Sequence, residues 1–287
     1  MHSAIKFFTL AARPSDWLAV RLLISSLRRF GGKVNNSGFL LFYAADLEVP
    51  LEMKALENVE LIPFSATAHR YYYFAQKVTV CAMAEEHTQP DVRVLVWCNP
   101  MTLFFNCPDQ FLLGGGYSAA FRPVHIQNIG SSYSTGIDPF WQGVYGRVGR
   151  QKDSFSVTSY VDQKVLRPYF NSHLFSIDPG MGLMQEWQQV FEEMVGDEDF
   201  QKECCSDVLH QVFLHQAILS ALLEKRLGID KLHLLSPDYS YPLHLHNKIP
   251  EEKRINTLDK MTCPVYEEEF CYPETLAGVD GLSLIHI

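Results

Sequence analysis

Positive charge is in short supply. Lysines and arginines number 24 against 33 aspartates and glutamates, a net charge of −9. A sequence-independent nucleic-acid binder holds phosphates with surplus cations, so nucleic acid is not an expected partner, and any bound anion needs a local basic pocket. Long apolar runs are also lacking. Nothing approaches the roughly 18–20 consecutive apolar residues that span a bilayer, so no transmembrane segment is expected. Met1 to Leu10 carries neither a charged leader region nor a small-residue cleavage site and reads as a first strand. Cysteines number seven, and an odd count excludes full pairing within one chain. Reduced thiols in a cytoplasmic setting, with at most a peripheral role at a membrane, are the expectation. The vicinal Cys204-Cys205 pair cannot easily chelate one ion, and Cys263 and Cys271 lack ligand spacing. No repeat, low-complexity tract or serine nucleophile elbow is present.

What is present is apolar. Of the 287 residues 47% are hydrophobic and 13% aromatic, enough for a sizeable core. Length alone allows about two domains at roughly 150 residues each, or one large α/β unit. Ile5 to Leu10 reads as a strand. Ser15-Asp16 then opens a helix with Val20, Leu23, Ile24, Leu27 and Phe30 on one face, Arg28 and Arg29 at its negative end and Gly31-Gly32 closing it. Phe39 to Tyr43 is a continuous apolar run, Val59 to Pro63 is one broken only by Glu60, and Val92 to Trp97, broken only by Arg93, is the strongest candidate, the pattern of strands buried on both faces of a parallel sheet. Tyr71 to Glu86 reads as the helix between the last two. The order β-α-β-β-α-β is an α/β pattern.

After Pro108 come a Gly114-Gly115-Gly116 turn, strands at Ala120 to Ile126, Phe155 to Val161 and Phe170 to Ile177, and a short aromatic helix capped by Asp138-Pro139. Helices follow near Leu183–Val195 and Asp207–Leu227, then a strand at Lys231 to Leu235. From Tyr239 the chain reads as loop. Gly281 to Ile287 reads as a non-native tail, with the true C-terminus beyond it missing.

Five segments carry a resemblance. Val94 to Phe104, reading VLVWCNPMTLF, resembles the central strand and turn of GT-A nucleotide-sugar glycosyltransferases of the glycogenin and bacterial galactosyltransferase type. Tyr71 to Ala84, with Lys77, resembles the helix before that strand. Tyr169-Phe170-Asn171-Ser172-His173 resembles the family's Tyr-Phe-Asn-Ser-Gly strand, and His215-Gln216-Ala217-Ile218-Leu219 its Asp-Gln-x-x-Leu helix. Tyr239-Ser240-Tyr241-Pro242 with His244, His246 and Lys248 resembles its Tyr-Asn-Tyr segment and later His/Lys loop. The likeness covers residues 4–250. It implies one GT-A domain over 1–275, with a mostly parallel central sheet flanked by helices. Within it, 1–108 would bind nucleotide, 109–250 would hold donor and acceptor, and 251–275 would form an extension.

The same resemblance implies a nucleotide-diphosphate sugar donor and a glycan or other hydroxyl acceptor. It places Gln216, His215 and Asn171 at the reacting centre and Thr9, Ala11, Asp46, Lys77, Asn99, Met101, Ser172, His246 and Lys248 around the donor. The family's Asp-x-Asp turn holds Mn²⁺ or Mg²⁺, which favour hard oxygen ligands. Here Asn99 and Met101 replace those acids, and His215 replaces a third. Asn99 and His246 are the residues left to a metal. Without one, Lys77, Lys248, His246 and Arg122 would hold the diphosphate. The protein is then a metal-independent or weakened transferase, or a non-catalytic relative used for binding.

Individual residues keep plainer alternatives. Lys77 and Gln216 read equally as exposed helix residues, Asn171 and Ser172 as polar residues of a strand edge, and Asp46 as a solvated turn residue. Thr9 to Ala12 would offer backbone groups to a base. His244 and His246, spaced i and i+2, share a face if on a strand and would suit a metal. Trp17, Trp97 and Trp187 read as core, while Trp141 is the aromatic placed to stack on an acceptor sugar. Glu267-Glu268-Glu269 reads as a solvated surface.

Overall fold

A computed structural model describes residues 4–65, 69–150 and 154–266. The expectations for 267–275, the three consecutive glutamates, Cys271 and the 281–287 tail lie outside the described residues. The first half runs β1 (Ile5–Ala11), α1 (Asp16–Phe30), β2 (Gly38–Ala44), a single-turn α2 (Leu51–Lys54), β3 (Val59–Phe64), α3 (Ala75–His87) and β4 (Val94–Cys98). The second runs β5 (Ala119–Pro123), α4 (Pro139–Val148), a small hairpin of β6 (Val157–Thr158) and β7 (Val165–Leu166), β8 (Phe170–Ile177), α5 (Leu183–Gly196), α6 (Glu198–Cys204), α7 (Val208–Arg226) and β9 (Leu232–Leu234). Two short strands, β10 (Tyr239–Pro242) and β11 (Cys263–Val265), pair with each other near the end.

Among the described residues seven strands form one sheet in the order β3-β2-β1-β4-β8-β5-β9. It is parallel except for β8, which runs against β4 and β5. The fold is therefore α/β with a mostly parallel sheet drawn from both halves of the chain. Alternation divides each strand between two cores. Phe8, Leu40, Phe42, Leu95, Trp97 and Phe121 face α3, α4, α5 and α7. Phe7, Phe39, Leu41, Val94, Val96 and Leu174 face α1.

Several expectations shift for local reasons. Phe30 is 40% exposed, because α1 ends there and its stripe of buried residues stops at Leu27. The helix expected from Tyr71 begins at Ala75, because Phe74 adopts a left-handed backbone with φ of 59° that no continuing helix allows. The strand expected over Phe155–Val161 shrinks to Val157–Thr158. Ser159 turns the chain, its hydroxyl accepting the Lys164 N–H at 2.8 Å and donating to Asp162. The segment after Tyr239 is not merely loop, since β10 and β11 pair there. The short helix α6, capped by Asp197, lies in a stretch that carried no expectation.

Helix ends are tied to the sheet layers by acids. The Glu85 carboxylate on α3 accepts the N–H groups of Met184 and Gln185, supplying the cap that the Gly182 start of α5 lacks. Asp16 accepts the N–H groups of Ala12 and Arg13 and closes the turn after β1.

Candidate functional site

The strand order reverses between β1 and β4. From β1 the chain winds outward through β2 and β3, then crosses by α3 to β4 on the other side. In open α/β sheets the crevice outside the carboxyl ends of strands at such a point is where ligands bind. Thr9 lies at this junction, and its buried hydroxyl donates to the Cys98 carbonyl at 2.7 Å. Ala11 ends β1, buried. The N–H of Ala12 belongs to Asp16, so that backbone group is not free to read a base. Asp46 follows β2 at the same end and is exposed.

Past the end of β4, the start of β8 turns its polar residues into the molecule. The register with β5 jumps from Phe121 opposite Phe175 to Arg122 opposite Asn171. This irregularity leaves Ser172, His173 and Leu174 without direct partners on β5 and re-aims Ser172. Ser172 becomes the hub of a buried cluster. Lys77 on α3 donates to the Ser172 carbonyl at 2.5 Å and to its hydroxyl at 2.7 Å. Trp97 Nε1 donates to the same carbonyl at 3.1 Å. His215 and Gln216 on α7 complete it, His215 Nε2 at 3.1 Å from the Ser172 hydroxyl and Gln216 Oε1 accepting the Ser172 N–H at 3.3 Å. Because His215 Nδ1 lies 2.9 Å from the Val212 carbonyl, Nδ1 carries the hydrogen and Nε2 accepts. Phe74 stacks on the His215 ring at 4.3 Å. The strained backbone of Phe74, costing about 1–2 kcal/mol, thus places an aromatic lid on the cluster.

A second group adjoins through Asn171. Its Oδ1 accepts the His173 N–H at 2.8 Å, so its amide nitrogen faces His125 Nε2 at 2.8 Å. Arg122 on β5 is 3% exposed, and its guanidinium lies 4.5 Å from the centre of the Tyr160 ring. Tyr160 and Tyr241 approach edge to face, and Tyr241 meets His246 Nδ1 at 2.9 Å.

Burial dominates the electrostatics. It pulls Lys77 down to about 7, and Arg122 to about 10 with partial opposition from Tyr160 and Asp238. His173 falls to about 3, first by burial and then by the charge of Lys77. His125 and His215 fall well below the usual histidine range for the same reasons, with Arg122 and Lys77 respectively as the nearest cations. Among the described residues no carboxylate forms an ion pair with Lys77 or Arg122.

The structure therefore joins Lys77, Asn171, Ser172, His215 and Gln216 and overturns their plainer readings. Lys77 and Gln216 are 5% and 6% exposed rather than surface helix residues, and β8 is an interior strand rather than an edge. Lys248 is exposed and, like Asp46, bonds to neither group among the described residues. His244 and His246 do not share a strand face. β10 stops at Pro242, which has no N–H to continue a ladder, and both histidines lie in the 3₁₀ segment Leu243–Lys248. Trp141 is 1% exposed, its Nε1 donating to the Ile129 carbonyl at 2.6 Å, and belongs to the core rather than to an acceptor. His125 and Tyr160 were not singled out by sequence, Trp97 was read as core alone, and His173 entered only as the last residue of the Tyr169–His173 segment. The lone basic Arg122 inside the apolar run AAFRPV was the available signal for its neighbourhood.

Metal ligation by Asn99 does not fit what is there. Asn99 Oδ1 accepts the Met101 N–H at 2.9 Å, and Met101 offers only a soft thioether. Among the described residues no group of three or more His, Cys, Asp or Glu side chains could hold an ion. Nor is any described helix long and apolar enough to cross a membrane. No protein-family model matches this chain, and no curated protein does.

Proposed function

We propose that this chain is a GT-A-like protein that binds a nucleotide-diphosphate sugar without a metal and passes the sugar to a hydroxyl of a glycan or similar acceptor. The observation that supports this most is Lys77, a buried cation with no carboxylate partner among the described residues, held just past the carboxyl end of β4. Breaking the bond between sugar and diphosphate builds negative charge on the leaving oxygen. A fixed cation in a low-dielectric site offsets that charge without reorganising. An arriving phosphoryl group restores full protonation of Lys77, since opposite charge raises a lysine pKa. Gln216 brings an amide suited to a sugar hydroxyl beside Ser172, while Asn171 spends its amide on His173 and His125 and holds the start of β8 in place. The six described cysteines are free thiols, in keeping with a reducing compartment.

One observation favours the alternative of a binding module without transfer. His215 stands where the resemblance puts an acid, and both its ring nitrogens are engaged internally, with Val212 and Ser172. It offers no free base to an acceptor hydroxyl.

Calorimetric titration with UDP, UDP-glucose, GDP and GDP-mannose, each with Mn²⁺ and with EDTA, tests both readings. Equal binding in EDTA, weakened at least tenfold by Lys77→Met, is the expected result. A requirement for Mn²⁺ would overturn metal independence, and no binding of any donor would overturn the donor reading. Binding with no sugar released or transferred would select the binding module.

A further inference from the structure

Arg122 carries a buried guanidinium whose Nε and Nη2 have no hydrogen-bond partner among the described residues. Both nitrogens are closed off from solvent, and the Nδ1 of His125 is likewise buried without a partner among the described residues. Since His125 Nε2 faces the Asn171 amide nitrogen, Nδ1 must carry the hydrogen. Three donor nitrogens are therefore buried and, among the described residues, unanswered. The nearest carboxylate, Asp238, is occupied elsewhere, with the hydroxyls of Ser236 and Thr262 donating to its two oxygens. The remaining neighbours, Tyr160, Tyr241 and Cys263, are uncharged at neutral pH.

A folded chain that buries a charge without pairing it loses stability for no structural return. A bidentate oxyanion is the natural partner of a guanidinium. Arg122 stands at the carboxyl end of β5, the same rim of the sheet as the end of β4. Tyr160, which covers its guanidinium, also lines a pocket of 580 Å³ together with Asp238, Lys253 and Lys260. One aromatic ring thus stands between the arginine and a pocket with two lysines on its wall.

We infer that Arg122 and His125 form an oxyanion subsite for a phosphoryl group, entered by displacement of the Tyr160 ring. Guanidinium Nε–H and Nη2–H take two oxygens, and His125 Nδ1–H takes a third. The inference rests on the surroundings of Arg122 and needs no donor sugar, so it stands or falls separately from the transferase reading.

Thermal unfolding of the intact chain with inorganic phosphate, against chloride at matched ionic strength, reads the subsite directly. The wild type is expected to gain about 5 °C at a phosphate concentration one hundred times Kd. Arg122→Met is expected to melt no lower than the wild type without phosphate, since it removes an unpaired buried charge, and to lose the phosphate response. Arg122→Lys keeps a weakened response. If the methionine variant does not fold, Arg122→Gln serves the same comparison. A phosphate response that survives in the folded variant, or none in the wild type, would overturn the subsite. Titrating UDP into phosphate-saturated protein separates the sources. Weakening by the mass-action factor assigns the subsite to a nucleotide's phosphoryl group, whereas unchanged UDP affinity assigns it to a separate phosphate. Phosphate binding without UDP binding would leave the subsite standing while the donor reading fails.

Discussion

Lys77 and Ser172 stand 95 positions apart in the chain and meet through two hydrogen bonds, the lysine ammonium donating to both the carbonyl and the hydroxyl of the serine. This contact fastens α3 to the bulged start of β8 and sets the charge of the whole cluster.

Ser172→Ala removes an acceptor from Lys77 and the partner of His215 Nε2. Leaving buried polar groups unanswered costs about 1–3 kcal/mol. With Lys77→Met as the second change, a denaturation cycle is expected to show coupling of about 0.5–3 kcal/mol. Additive losses would mean that the two side chains act independently.

Stability is expected to rise with pH from about 7 toward 8.5. In this window Lys77, at about 7 in the folded protein, releases its proton while the unfolded lysine keeps it. The unfolded state then binds more protons, and stability grows by up to about 1.4 kcal/mol per pH unit. Above the ordinary cysteine range the opposite linkage sets in, because burial raises the thiols of Cys81 and Cys263. Urea unfolding at pH 7 and 8.5 checks this, and Lys77→Met should flatten the rise.

On the acid side stability is expected to fall as pH drops below about 6.5. His125, His173 and His215 remain neutral in the folded protein well below that pH, while their unfolded counterparts take up protons. Each contributes a slope of up to about 1.4 kcal/mol per pH unit. Denaturant midpoints between pH 6.5 and 5 measure the combined slope. A flat profile there would show that the three rings are hydrated rather than buried.

Two glycines of α4 should answer oppositely to alanine. A Cβ on Gly143 would lie 2.5 Å from the Phe200 ring of α6, whereas one on Gly146 meets nothing within 4 Å. Gly143→Ala is expected to cost about 1–3 kcal/mol by overpacking. Gly146→Ala should add about 0.5–1 kcal/mol, because alanine narrows the unfolded ensemble and favours helix. Melting temperatures of the two variants decide it.

Much of the fold was legible where one signal dominated. Phe170–Ile177 forms the strand expected there, ending before Asp178-Pro179, and Asp207 caps the helix that opens at Val208. Of the three runs expected to be buried on both faces, β2 and β4 became interior strands, whereas β3 is the edge of the sheet and only Phe64 in it is fully buried. Elements set by side-chain turns rather than periodicity were less legible. Ser159 folds a hairpin back on itself, and Phe74 delays α3, and neither event alters the hydrophobic pattern.

The sequence by itself determined the α/β order and the shortage of positive charge, because hydrophobic pattern and composition are properties of the chain. Only the tertiary structure decided which polar residues meet. Lys77 looks like any helix lysine until the β8 bulge brings Ser172 beneath it. Arg122 looks like one more basic residue until β5 carries it behind Tyr160, where no carboxylate among the described residues forms an ion pair with it. Burial and pairing depend on contacts between residues distant in sequence, and those contacts alone turn an ordinary cation into a candidate anion site.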